Sequence, residues 1–97
     1  MVKILNLNDG EIKARERLSK LVQIASEVFP QAKVSALDNQ YNYLSVNLQE
    51  GTITVHLLSG REIYAYNQSL FDSAVKLAEA YEQNGEEEFT VKKQYQE

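Results

Sequence analysis

A stretch of strictly alternating residues, 41–58 (YNYLSVNLQEGTITVHLL), constrains the fold of this chain most. Apolar residues alternate with polar or aromatic ones on both sides of Glu50-Gly51, at Leu44, Val46, Leu48, Ile53, Val55 and Leu57. Strict alternation is typical of a β-strand with one buried face. The stretch therefore predicts a β-hairpin with Glu50-Gly51 at its tip.

A two-residue loop at Glu50-Gly51 fixes the predicted register of this hairpin. It pairs apolar with apolar residues throughout: Leu48 with Ile53, Val46 with Val55, and Leu44 with Leu57. Because glycine accepts a positive φ at little steric cost, we expect Gly51 to supply the left-handed residue of the turn. The turn residues and the alternation of apolar residues then predict the same register.

The strand before the hairpin is predicted at residues 33–37 (KVSAL). Asp38-Asn39-Gln40 has the composition of a turn. A three-residue loop there places Val34 opposite Leu44, so the apolar face continues into the flanking strand.

The strand after the hairpin follows a turn at Ser59-Gly60-Arg61. A three-residue loop at this point pairs Leu57 with Ile63 and Val55 with Ala65, whereas a two-residue loop would pair Leu57 with Glu62. We therefore expect the three-residue loop, which completes a four-stranded antiparallel meander.

An apolar stripe predicts a first helix that starts after Asn8 and ends before Pro30. Asn8 is the expected N-cap, with Glu11 as its partner in a capping box. Apolar residues then recur at steps of three and four: Ala14, Leu18, Leu21, Val22, Ala25, Val28 and Phe29.

A second helix is predicted to start at an N-cap, either Asn67 or Ser69, and to stop at Asn84-Gly85. Its stripe consists of Leu70, Ala74, Leu77, Ala78 and Tyr81, with Phe71 on the flank. The periodicity indicates that this helix also packs one face against the sheet.

The 97 residues fit a single domain, 1–97. Residues 1–7 are expected to form an N-terminal arm or a strand, and 86–97 a charged loop and a tail. Phe89, Val91 and Tyr95 alternate with polar residues, so the tail is either an edge strand or a frayed end. The expected fold class is α+β: a four-stranded antiparallel meander sheet with two helices packed on one face. The tail is a possible extra terminal strand.

Composition excludes several kinds of site. The absence of cysteine rules out disulfides and thiolate metal sites, and a single histidine rules out a His-rich metal site. We expect no cofactor. The chain shows neither a secretory leader pattern nor the ~20 apolar residues of a membrane span, so a cytoplasmic location is the default expectation. The net charge of −4 argues against nucleic-acid binding.

The predicted register leaves a polar and aromatic outer face on the sheet: Ser35, Tyr41, Tyr43, Ser45, Asn47, Thr52, Thr54, His56, Leu58, Tyr64 and Tyr66. One interpretation is a partly solvent-exposed face made of residues that favour β-strands, with no binding role. Another is contact with a protein partner or a second copy, since tyrosine is common in interfaces. A third is that the arm or the tail covers the face. The expected contact residues are Tyr41, Tyr43, His56, Tyr64 and Tyr66.

His56 is the one plausible general base, with Ser45 and Tyr64 as its expected cross-strand neighbours. A nucleophilic site also needs an orienting acid and an oxyanion hole, and no tight turn or helix N-terminus is expected beside Ser45. We therefore expect a protein that is not an enzyme. A small enzyme using His56 is kept as the weaker alternative.

The predicted order of helix, strands and helix is similar to that of the double-stranded-RNA-binding domain. That family needs lysines at its second helix, where it meets phosphate. The corresponding residues 67–74 (NQSLFDSA) contain no basic side chain, so RNA binding does not carry over.

Two function hypotheses follow from these patterns. We expect a small non-enzymatic protein-interaction module that self-associates, as a homodimer, through the tyrosine-rich sheet face. The alternative is an acidic inhibitor protein of a mobile element, in which Glu79, Glu82 and Glu86–Glu88 occupy a basic nucleic-acid-binding groove.

Overall fold

The computed structural model describes residues 9–36, 43–49, 51–57, 61–86 and 88–96. The elements in chain order are α1 (Asp9–Val28), β1 (Lys33–Ala36), β2 (Tyr43–Leu48), β3 (Gly51–His56), β4 (Glu62–Ala65), α2 (Gln68–Gln83) and β5 (Thr90–Lys93). The sheet order is β1-β2-β3-β4-β5, with antiparallel pairs up to β4 and a parallel pair between β4 and β5. The predicted α+β fold with an antiparallel meander is confirmed, and the extra strand is present.

The tail forms the fifth strand at the edge of the sheet. Val91 pairs with Ile63 of β4, in parallel, because α2 carries the chain back to the same end of the sheet before β5 begins. Just before β5, Phe89 is buried against the ring of Tyr81, at 4.9 Å between ring centroids. This contact anchors the start of the tail in the core.

The central hairpin exists, but its predicted register is wrong by two residues. Val46 pairs with Ile53, and Leu48 pairs with Gly51, the last pair before the turn. Among the described residues of the hairpin, Gln49 has a left-handed backbone, with φ of 62°, and Gly51 is the first residue of β3. A Cβ at Gly51 would lie 2.7 Å from Cδ1 of Leu70, so a larger residue here would force the Leu70 side chain of α2 to shift.

The two flanking registers are also wrong by two residues. Val34 pairs with Val46 instead of Leu44, so the chain between the two paired residues is longer than predicted. Val55 pairs with Ile63 instead of Ala65, so the chain between that pair is shorter than predicted. A shift of two residues keeps every side chain on its predicted face, since side chains alternate with a period of two.

The inner face of the sheet forms the centre of the core. Its fully buried side chains are Leu44, Val46, Ile53, Val55, Ile63 and Ala65. The helices cover this face with Leu18, Leu21, Ile24 and Ala25 of α1, and with Leu70, Ala74, Leu77 and Tyr81 of α2. The predicted stripe of α2 is confirmed; that of α1 omitted Ile24, which is also buried.

Helix ends agree with the sequence where the structure describes them. Asn67 caps α2, and its Oδ1 accepts a hydrogen bond from the Leu70 amide at 2.9 Å. Gly85 has φ of 87°, and the Glu86 amide donates to the Tyr81 carbonyl at 3.0 Å, as in a Schellman stop. Helix α1 ends at Val28, as predicted. The predicted cap Asn8 and arm 1–7 lie outside the described residues.

Tyr81 joins the two helices through both its ring and its hydroxyl. The side chain is fully buried, and its hydroxyl donates to the Leu21 carbonyl of α1 at 3.3 Å. Burial raises the pKa of the Tyr81 hydroxyl well above its ordinary value, because the charged form would lose its solvation. Tyr81 therefore stays a neutral structural side chain.

We expect Val46→Ala and Val55→Ala each to destabilise the fold by roughly 1–3 kcal/mol, through lost burial and a residual cavity. Both side chains are fully buried on adjacent central strands. Urea denaturation followed by circular dichroism measures the free energy of unfolding. Val75→Ala is the matched control, since Val75 is 36% exposed on α2; it should change that free energy by less than about 0.5 kcal/mol. Equal stability of all three variants would contradict the assigned inner face.

Candidate interaction face

Two cross-strand rows of side chains make up most of the outer face. The first row crosses all five strands through Ser35, Ser45, Thr54, Tyr64 and Lys92. The second row crosses β2 to β5 through Tyr43, His56, Glu62 and Thr90. Adjacent side chains within such a row contact each other directly, so each row behaves as one continuous strip.

Three rings form an aromatic ridge: Tyr43, His56 and Tyr64. The Tyr43 and His56 rings stack with centroids 4.9 Å apart and an angle of 8° between their planes. The His56 and Tyr64 rings are 6.4 Å apart and tilted by 36°. All three side chains are half-buried by their neighbours in the sheet, so the ridge is held in place by the strands.

The predicted neighbours of His56 need correction. Its direct cross-strand partners are Tyr43 on β2 and Glu62 on β4, while Ser45 pairs with Thr54. The two-residue change of register moved Ser45 to a diagonal position and brought Glu62 directly beside His56. Tyr64 still contacts the His56 ring, but along the diagonal.

Glu62 lies in a small polar cluster at the end of the ridge. The Tyr64 hydroxyl donates to its Oε1 at 2.8 Å, and the Lys92 ammonium is 3.5 Å from its Oε2. The hydrogen bond from Tyr64, and then the charge of Lys92, lower the pKa of the Glu62 carboxyl. The same hydrogen bond raises the pKa of the Tyr64 hydroxyl. Glu62 and Lys92 were absent from the predicted contact set.

Beside the ridge lies a depression of about 230 Å³, lined by Ser35, Ala36, Tyr43, Ser45 and Thr54. It exists because the first row carries short side chains on β1, β2 and β3, next to the large ring of Tyr43. A cavity of about 150 Å³ in another protein accepts benzene. The depression therefore has room for one aromatic ring.

Of the predicted contact residues, Tyr43, His56 and Tyr64 come together in the ridge. Tyr66 lies just after β4 and is 47% exposed. Tyr41 lies outside the described residues, as does Leu58, which was also predicted for the outer face. The tail does not cover the outer face through residues 90–93, because these residues extend the sheet as β5. The arm 1–7 lies outside the described residues.

Glu86, which follows α2, contacts two basic side chains of α1, Arg17 and Lys20. Glu86 accepts from Arg17 Nε at 3.4 Å and lies 3.1 Å from Lys20 Nζ. Only 12% of the Glu86 side chain is exposed, so this carboxylate links α1 to the α2–β5 connection. Glu86 is thus engaged within the fold, whereas Glu79, Glu82 and Glu88 are exposed.

Comparison of the chain with protein-family models, with curated proteins and with solved structures gives no match. In the described part of the chain, no group of three or more His, Cys, Asp or Glu side chains could hold a metal ion. Over the same residues, no helix is both long enough and apolar enough to cross a membrane. The geometry of the outer face is therefore the main basis for a functional proposal.

We expect Tyr64→Phe to raise the pKa of the Glu62 carboxyl towards its ordinary value, because the strongest interaction that lowers it is removed. A lowered carboxyl pKa contributes stability at pH above the ordinary value, and this contribution is lost as the pH falls through the folded-state pKa. A carbon-detected NMR titration of Glu62 measures the change. Tyr95→Phe, which removes a hydroxyl bonded to Gln68 instead, should leave Glu62 unchanged. An unaltered Glu62 titration in Tyr64→Phe would show that the hydrogen bond does not form in solution.

Proposed function

We propose that this chain is a small non-enzymatic protein-interaction module that self-associates through its outer face. One observation carries the proposal: the same surface presents both an aromatic ridge and a depression large enough for an aromatic ring. A surface that meets its own copy across a two-fold axis must be complementary to itself. A row of aromatic rings beside a depression on the same face is consistent with that requirement.

The chemistry of the ridge also favours a protein partner. Tyrosine provides a broad apolar ring with a polar tip, and it is enriched where one protein contacts another. The rings of Tyr43 and Tyr64 are already ordered by His56 between them. Because little side-chain freedom remains to be lost, binding through these rings costs less entropy than binding through flexible side chains.

Face-to-face packing is favoured over pairing through the β5 edge. Lys92 and Lys93 are exposed on this edge strand. Lysines on an edge strand oppose the addition of another strand, because their charges would be brought together or buried. The outer face carries its charges at the margin, with Glu62 and Lys92 already paired to each other.

We expect the double change Tyr64→Ser and Tyr66→Lys to lower the apparent mass towards that of a monomer without unfolding the chain. Both side chains lie off the buried inner face, and an unpaired ammonium buried in the contact would oppose association. Light scattering over a dilution series measures the mass, and circular dichroism checks the fold. Val75→Lys adds the same charge on α2 and should leave the mass unchanged.

Two outcomes would contradict this proposal. A wild type that is monomeric at every accessible concentration would exclude self-association. A double variant that unfolds would show that Tyr64 and Tyr66 are part of a covered core and that the outer face is not available for contact.

A further inference from the structure

In its first row, the outer face carries large side chains on one side of β3 and small ones on the other, whereas in the second row Tyr43 on β2 and Glu62 on β4 are both large. In the first row, Tyr64 and Lys92 stand on β4 and β5. Across β3, the first row carries only Ser45 and Ser35 on β2 and β1, and the depression lies there. Strand β3 is the middle strand of five, so it divides the face into two equal flanks.

With the strands of the two sheets aligned, two orientations bring this face against its own copy about a two-fold axis. An axis running across the strands places every strand over the same strand of the second copy, so Tyr64 faces the large side chains of β4 of that copy. An axis parallel to β3 reverses the strand order, so β4 lies over β2 and β5 lies over β1. Of these two orientations, only the second places Tyr64 over small side chains.

We propose that two copies pack as an aligned sheet sandwich about a two-fold axis parallel to β3, with Tyr64 of each copy inserted into the depression of the other. The proposal rests on the self-association proposed above and specifies its geometry. Sheets packed face to face lie about 10 Å apart with strands within about 30° of each other. This spacing leaves room for one layer of interdigitated side chains.

The contacts across the axis follow from the rows. In the first row, Tyr64 lies over Ser45 of the second copy, and Thr54 faces Thr54 of that copy. In the second row, the Tyr43 hydroxyl approaches the carboxylate of Glu62 of the second copy, where it can donate a hydrogen bond. In the first row a large residue therefore meets a small one, while in the second row His56 faces His56 of the second copy and a hydroxyl meets a carboxylate on either side.

Cysteine cross-linking tests this geometry directly, because the chain has no cysteine of its own. We expect a mixture of Ser45→Cys and Tyr64→Cys proteins to form a covalent heterodimer with a short bismaleimide. In that heterodimer one native Tyr64 contact remains, and the two cysteines occupy the other contact. Thr54→Cys alone should form a covalent homodimer, because β3 faces itself across the axis.

The matched controls are Ser45→Cys alone and Val75→Cys alone. Ser45→Cys alone should cross-link poorly. The β2 strands of the two copies would be offset sideways by two strand spacings, roughly 10 Å, in addition to the gap between the sheets. The second places a cysteine on the exposed side of α2, away from the sheet. The yield of covalent dimer on denaturing gels should be several-fold lower for both controls.

The outcomes separate the geometry from the proposed function. If light scattering shows a wild-type dimer while Ser45→Cys cross-links with itself as well as Thr54→Cys does, the axis runs across the strands and the inference is wrong. If the wild-type dimer exists but no outer-face cysteine cross-links, the contact is elsewhere on the chain. If the wild type is monomeric, the proposed function itself fails.

Discussion

The fold depends on the packing of one sheet face against two helices. Six fully buried side chains on β2, β3 and β4 form that face, and each helix lays one stripe across it. Since about 25 cal/mol is gained for each square ångström of apolar surface removed from water, this layer supplies the main favourable term of folding. The loops, the caps and the outer face are all arranged around it.

The alternation in the sequence predicts which face each strand residue lies on, but it does not predict the register between neighbouring strands. Burial determines which face of the sheet a side chain occupies, and in the sequence this appears as apolar residues at every second position. The connections between strands set the register, and each of the three predicted registers is wrong by two residues. Gly51 illustrates the cause, because a glycine that permits a positive φ and one that admits a neighbouring side chain look the same in a sequence. Here the neighbour is Leu70, nineteen positions away in the sequence.

The candidate site was predictable in part for the same reason. Tyr43, His56 and Tyr64 were assigned to one face by alternation, and they share it in the structure. The neighbours within the face depend on register, so Ser45 and Tyr64 were expected directly beside His56, where the structure has Tyr43 and Glu62. Lys92 could have been included by extending the alternation of the tail into a fifth strand. The contact of Glu86 with Arg17 and Lys20 depends on how α1 lies beside the end of α2, which has no local signal in the sequence.

The position of β5 has a consequence for the chain while it is being made. Synthesis runs from the N-terminus, so β1 to β4 and α2 are complete before Phe89 and β5 exist. During that interval the edge of β4 is bare, and the pocket for the Phe89 ring beside Tyr81 is empty. The strand that carries Lys92 and Lys93 to this edge follows the other described strands in chain order. Nascent chains are therefore most exposed to wrong strand pairing after β4 is made and before β5 is made, and a chain cut short in that interval keeps an unprotected β4 edge.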